Sequence, residues 1–484
     1  MGALLALLLA AGCGDDSGGD EPPDDDGADS GDGDAVDSGD GAPAGDGDGD
    51  GDTANGDGAG DGVVGNAADG TAAEVIECDN VVPDDACDDS LRPIVFIHGT
   101  FGSATEISKP ALMFASNGYC ADRFVAVEYN SLGGSPAADL AALIDETLER
   151  TGFDQVELMG HSQGTGHACS YLSDPDRRAK VANYVNLSGG CAGHGVPTLS
   201  ISGPNDLGMS SNHASGDNVE QVDLVEEDHV AIAGSKNAFV TMWKYLYGED
   251  PEYTTVQCGE EMVTLSGKLV TFGDNEPVGG GVVDFFEVDT LEDPRERGEP
   301  VVSVTVGDDG SFNFQVRRGV RYEVRVSGAS GELLGYGYSS PFERSNYLTR
   351  FLVESMNPLV AASSTARVVR DPGHMVLVGR YIGGVFRPDW GNSLKIDGEE
   401  VLTAENAGPN ASVVGLFMYD ANRNGESELG SPFSFGFVQG TDVFIDATEP
   451  RWVDVEWTNE EGQTTELKVS NWPSSENMAM ISLP

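Results

Sequence analysis

Val156-Glu157-Leu158-Met159-Gly160-His161-Ser162-Gln163-Gly164 is an apolar strand that stops at a Gly-x-Ser-x-Gly turn and runs on into helix-forming residues. A strand-to-helix turn of this form is a nucleophile elbow. It lifts one serine hydroxyl clear of the backbone, and glycines on either side give the turn its room. Ser162 is therefore the candidate nucleophile. A five-residue pattern also recurs by chance as an ordinary turn, so a second motif has to agree with it. Upstream, Arg92-Pro93-Ile94-Val95-Phe96-Ile97-His98-Gly99-Thr100 reads as a fully buried strand ending in His-Gly, where hydrolases with such an elbow place an oxyanion-holding amide.

Working outward, residues 76–258 alternate strand and helix patterns. Apolar strands are predicted at Ile94–His98, Phe124–Tyr129, Val156–Met159, Tyr184–Leu187, Thr198–Ser202 and Val219–Val225, with helices such as Ala137–Arg150 between them. Strand and helix alternating at this pitch give a mostly parallel sheet covered on both faces, and six strands make a minimal α/β-hydrolase fold. After Cys258 the helical period disappears. Val, Thr, Tyr, Phe and Gly alternate in short strands, which predicts an all-β C-terminal region: a sandwich-like domain over 259–360 and a second β domain over 361–484.

Residues 14–75 are mostly Gly, Asp, Ala and Ser, with no Lys or Arg, and cannot bury a core, so they read as a self-repelling tether. Before them, Met1 to Cys13 is a short apolar run whose end, Leu9-Ala10-Ala11-Gly12-Cys13, resembles the lipobox of bacterial lipoproteins. It reads as a signal sequence with Cys13 as the lipidated residue and membrane anchor. Acidic residues outnumber Lys plus Arg by 82 to 26, a formal charge of -56, which excludes nucleic acid as a partner class. Six cysteines remain after Cys13, an even number that in an exported chain predicts three disulfides. Cys78 with Cys87 is expected as a local loop, and Cys169 with Cys191 as a pair across the elbow helix. No Cys-x-x-Cys or histidine cluster points to zinc.

The chain resembles archaeal lipases that join an α/β-hydrolase domain to a C-terminal β-barrel lipid-binding domain. The resemblance runs over most of residues 92–440. It is carried by Met113-Phe114-Ala115-Ser116-Asn117-Gly118-Tyr119, Gly160–Gly164, Ala179-Lys180-Val181-Ala182, Val196-Pro197-Thr198-Leu199, Gly267-Lys268-Leu269, and Pro341-Phe342 through Arg350-Phe351-Leu352. It implies carboxylester hydrolysis with Ser162 as nucleophile, His229 as base, and the amides of Thr100 and Gln163 as oxyanion donors. Two departures matter. The long lid of those lipases is missing between Tyr129-Asn130 and the Ala137 helix, which predicts an open cleft for soluble short or medium acyl esters. The position of their triad carboxylate falls on Ser188, which holds no charge.

A serine is a poor nucleophile until an imidazole takes its proton, and the imidazole needs a carboxylate to fix its tautomer. His229 follows the last predicted strand and precedes the final helix, where the base belongs. His167, His194 and His213 fall on the elbow helix, before a strand and in a Ser/Asn/Gly loop. One strand beyond Ser188, Thr198–Ser202 runs into Gly203-Pro204-Asn205-Asp206, so Asp206 is the expected acid, with Asp217 or Glu226 as alternatives. The chemistry requires no metal or cofactor. Asp420-Ala421-Asn422-Arg423-Asn424-Gly425 opens like a calcium loop but has Ser431 at position twelve, so an Asn-Gly hairpin is expected. The reading is thus a lipid-anchored serine esterase or lipase acting on ester or lipid substrates. Its rivals are a polyester or polysaccharide-ester hydrolase whose β region holds polymer, and a non-catalytic surface binding protein. Tyr336, Tyr338, Tyr381 and Trp390 are the aromatics through which the β region could grip lipid or polymer, although aromatics in alternating strands are more often core.

Overall fold

A computed structural model describes residues 78, 80–191, 193–203, 213–408 and 413–484. Cys13, the 14–75 tether and Asp206 lie outside these described residues. Six strands form one sheet: β1 (Ile94–Ile97), β2 (Phe124–Val127), β3 (Val156–His161), β4 (Val181–Leu187), β5 (Thr198–Ser202) and β6 (Val219–Asp223). Their order is β2-β1-β3-β4-β5-β6, and every pairing is parallel. This is a minimal α/β-hydrolase fold followed by a largely β region, as the alternating pattern predicts.

Strand alternation explains the two layers on this sheet. Ile94 and Phe96 point to one face, where α1 (Ser108–Ser116) contributes Phe114 and a C-terminal helix contributes Phe239 and Trp243. Val95 and Ile97 point to the other face. There α2 (Ala137–Thr151) lays down Leu140 and Ile144, one helical turn apart, and α3 (Gln163–Ser173) adds Ala168 and Leu172. The helix α2 stops at Gly152, whose left-handed backbone lets its amide bond to Leu148 O at 2.8 Å. The C-terminal helix, α4 (Lys236–Tyr247), is capped by Ser235, whose hydroxyl accepts from Ala238 N.

The β region contains three sheets of three, nine and four strands. The nine-stranded sheet runs across the boundary expected near residue 360. Leu333–Ser339 pairs in parallel with the last strand of the chain, Ala479–Leu483, and this pairing joins strands from both sides of that boundary. One half of the large sheet packs on the three-stranded sheet through Phe285, Phe312 and Phe314. The other half packs on the four-stranded sheet through Leu377, Leu394 and Trp457.

Three disulfides join Cys78 to Cys258, Cys87 to Cys120 and Cys169 to Cys191. The expected Cys169–Cys191 bond is formed, but Cys78 does not pair with its near neighbour Cys87. Its partner lies 180 residues away, which ties the start of the hydrolase domain to its end. The Asn-Gly segment is also not a tight hairpin. The next strand after Gly415–Tyr419 begins only at Ser434, and the intervening loop folds around the Asp420 carboxylate, which accepts from Asn424 N and Gly425 N.

Tyr336, Tyr338 and Tyr381 are core residues, each at most 4% exposed, so they do not form a gripping surface. Tyr336 stacks on Trp472 at 4.2 Å, and Tyr338 donates to the buried Glu323 carboxylate. Trp390 is half-buried beneath the Arg387 guanidinium, 4.1 Å from its ring centre.

Candidate active site

The elbow is built as its glycines require. Ser162 has φ of +51°, a left-handed value that a serine adopts only when its surroundings hold it there. A side chain at Gly164 would put its Cβ 2.2 Å from Ile97 O, so α3 can start this close to β1 only with glycine there. At Gly99 a Cβ would sit 3.0 Å from Ser162 Cβ, so the His-Gly turn also stands against the elbow without a side chain between them.

Ser162 Oγ lies 2.8 Å from His229 Nε2, a hydrogen bond between the two residues of the chain suited to nucleophile and base. The histidine loop is held from behind by His161, whose Nε2 lies 2.7 Å from His229 O and whose Nδ1 lies 2.9 Å from Glu106 Oε2. Glu106 also accepts from Gly99 N at 3.1 Å. Burial works against its charge, but His161, His98 and the Gly99 amide together hold its carboxyl below the ordinary 4.5. One carboxylate thus ties the His-Gly turn, the elbow and the histidine loop together. Glu106 carries no motif, and only its place a few residues after His-Gly could have drawn attention to it. His161 is inside the elbow motif itself, yet its role depends on a carbonyl 68 residues away.

Thr100 and Gln163 come together as a pair. Thr100 Oγ1 donates to Gln163 Oε1 at 3.0 Å, and Gln163 Nε2 donates to Ser131 O at 3.2 Å. Ser131 Oγ in turn accepts from Phe101 N. The side chains therefore hold the two backbone segments in fixed relation beside Ser162.

The other histidines are engaged elsewhere. His213 lies between Ser200 Oγ and Asp223 Oδ1, at 3.2 and 2.9 Å. His167 packs edge-on against Tyr129, and burial lowers its pKa. His194 lies against the Cys169 sulfur, already in a disulfide. Among the alternative acids, Asp217 and Glu226 are exposed. Asp228, next to the histidine, is buried, which raises its pKa, and its Oδ1 caps the amides of Val230 and Ala231. The segment carrying Asp206 begins at Gly203, where a Cβ would be 2.3 Å from Glu227 O. The turn after β5 therefore starts in direct contact with the histidine loop.

The cleft has a second wall. The β region forms its far wall, with Phe272, Arg380, Tyr381, Ile382, Val414 and Phe437 facing Ser162 and His229 across a cavity. Its interior offers about 70 Å³ in which the centre of a water-sized group can lie. The two regions are bound by buried polar contacts. Arg350 Nε donates to Glu128 Oε1 at 2.7 Å with both side chains at most 6% exposed, and Asn275 Nδ2 donates to Gly102 O at 2.7 Å. The expectation of an open site came from the short Asn130–Ala137 segment. The β region, from the far end of the sequence, supplies a wall that this segment does not.

Residues 261–356 match the family model of the lipase C-terminal domain, and residues 386–484 match a second C-terminal-domain model. Among solved structures, the Bacillus licheniformis lipase BlEst2 in its propeptide form is 11% identical, covering 81% of this chain and 95% of its own, with a TM-score of 0.27. Carboxylesterase CesB from Bacillus subtilis is 13% identical over 34% of this chain and 86% of its own, with a TM-score of 0.23. Phospholipase PlaB from Legionella pneumophila is 7% identical over 54% of this chain and 93% of its own, with a TM-score of 0.24. At these values the fold assignment rests on the sheet order given above, and the sequence match that bears on kind is the C-terminal one. By that match residues 261–356 are similar to a lipase C-terminal domain.

Proposed function

We propose that the chain is an exported serine carboxylester hydrolase, an esterase or lipase working through an acyl-enzyme. The observation that carries the reading is the 2.8 Å contact of Ser162 Oγ with His229 Nε2 on an elbow of positive φ, facing a cavity. His229 takes the hydroxyl proton as Oγ attacks the ester carbonyl. The amides of Thr100 and Gln163 receive the developing oxyanion, a contribution of about 3 kcal/mol per donor. His229 then returns the proton to the departing alkoxide. A water molecule repeats the sequence on the acyl-enzyme, releasing the carboxylic acid.

Asp206 is the carboxylate that orients His229. Its support is positional, because the turn that leads to it starts against the histidine loop at Glu227. Cys13 is the lipid anchor and residues 14–75 the tether, so the enzyme acts at the cell envelope or surface. The three disulfides suit that oxidising compartment. Among the described residues no helix is long and apolar enough to cross a membrane.

A fluorophosphonate probe tests this reading. It is expected to label the wild-type protein at Ser162 and to leave Ser162→Ala unlabelled. A wild type that resists the probe would favour the non-catalytic binding protein instead.

A further inference from the structure

Strand Leu377–Tyr381 lies inside the nine-stranded sheet, between Gly415–Tyr419 and Ala479–Leu483. Alternation sends Val376 and Val378 to one apolar cluster and Leu377 and Tyr381 to another. Arg380 follows the first of these rows, so a charged group ends an otherwise apolar line. It ends in the wall of the cavity that holds Ser162 and His229. Its partner across the ladder is Gly415, which has no side chain to compete for that space.

The deeply buried arginines are matched with carboxylates: Arg297 with Glu323, Arg344 with Asp84, and Arg350 with Glu128. Arg380 is partly exposed, in the wall of the cavity. A guanidinium has five N–H donors. Among the described residues, this one makes a single side-chain hydrogen bond, from Nη2 to the neutral Thr105 Oγ1 at 3.1 Å, and no ion pair. The carboxylate that acts on it at longer range, Glu106, is already bonded to Gly99 N and His161 Nδ1. Burial pushes the Arg380 pKa down, with Glu106 opposing, to about 10, so the group stays charged at neutral pH.

A cation with spare donors, partly exposed in a cavity wall beside a nucleophile, is placed to take an anion there. We infer that Arg380 is an anion-binding group of the substrate pocket, and that the preferred ester carries a carboxylate or phosphate a few bonds from the scissile carbonyl. This rests on the serine-hydrolase reading above. The charge of -56 opposes the approach of such a substrate, but surface charges are screened beyond about 8 Å at physiological ionic strength, whereas Arg380 acts at contact.

The test compares matched esters: p-nitrophenyl butyrate with p-nitrophenyl hydrogen succinate, and dibutyrylglycerol with dibutyrylglycerol phosphate. In wild type the kcat/KM ratio of anionic to neutral ester should be about tenfold or more in at least one pair. The pair that shows it tells carboxylate from phosphate. Arg380→Gln should lower that ratio by about tenfold or more, whatever loss is common to both esters, and Arg380→Lys should retain part of it. A wild-type ratio below about tenfold in both pairs, or one unchanged by Arg380→Gln, would overturn the inference. Should Arg380→Gln not fold, the wild-type ratios decide. Failure of the site itself looks different: none of the four esters is hydrolysed and the fluorophosphonate leaves Ser162 unmodified.

Discussion

Adding one methyl group to Gly164 should damage this protein far more than adding one two residues later. At Gly164 the new Cβ would lie 2.2 Å from Ile97 O and 2.7 Å from His98 O, both backbone atoms at the C-terminal end of β1. Relief requires α3 to move by about 1 Å away from β1, against a well-packed face, which costs about 3 kcal/mol by the usual scale of overpacking. The same displacement carries Ser162 away from the oxyanion amides, and misplacement of this size costs about 100-fold in turnover. At Gly166, one turn into the same helix, a Cβ meets nothing within 4 Å. Gly166→Ala should therefore gain about 0.5–1 kcal/mol through helix propensity. Urea unfolding gives the stabilities, and hydrolysis of p-nitrophenyl butyrate gives turnover. A Gly164→Ala variant as stable and active as wild type would refute the packing argument, as would a Gly166→Ala variant that loses as much as Gly164→Ala.

Three further outcomes follow from the site. Asp206→Asn should keep the fold and lose about 10⁴-fold in kcat, because an amide favours the wrong histidine tautomer; near-normal turnover, with loss in Asp217→Asn or Glu226→Gln instead, would move the acid. The cavity beside Ser162 is walled by the β region, so across p-nitrophenyl esters from acetate to palmitate kcat/KM should peak at short chains. A maximum at palmitate would mean that the β wall moves aside. Glu106 titrates below its ordinary 4.5 in the folded state, so the stability it adds is present above that value and lost as pH falls through the lowered one. Glu106→Gln should therefore be less stable than wild type at neutral pH, by about 1–3 kcal/mol, with the gap closing in acid; a gap independent of pH would show that the charge is not what matters.

The hydrolase sheet was legible because each strand is a short apolar run closed by a turn signal, and burial on both faces demands that composition. Thr198–Ser202 is read to the residue, and the others differ only at their ends. The pairing of Ser162 with His229 was legible for a related reason, since chain order around a parallel sheet leaves few loops at the same end of the strands. What the sequence hides is whatever depends on long-range packing. Cys78 pairs with a cysteine 180 residues away, and loop length gives no hint of it. The tyrosines at 336, 338 and 381 lie in alternating strands, where aromatics are more often core than surface, and they are buried. Arg380 and Phe272 reach the cavity at Ser162 only because the β region docks over it through Arg350 and Asn275. For the same reason, removal of residues 262–484 should abolish action on soluble and insoluble esters alike, contrary to the selective loss on emulsions that a separate binding module would give.

Ser162 Oγ is the proposed attacking atom, and the most direct measurement is the steady-state turnover of p-nitrophenyl butyrate by folded Ser162→Ala. The nucleophile and its base act as one unit, so kcat is expected to fall by about 10⁵–10⁶-fold. A variant that folds normally and keeps turnover within about tenfold of wild type would contradict the assignment, because binding and oxyanion contacts alone leave far less.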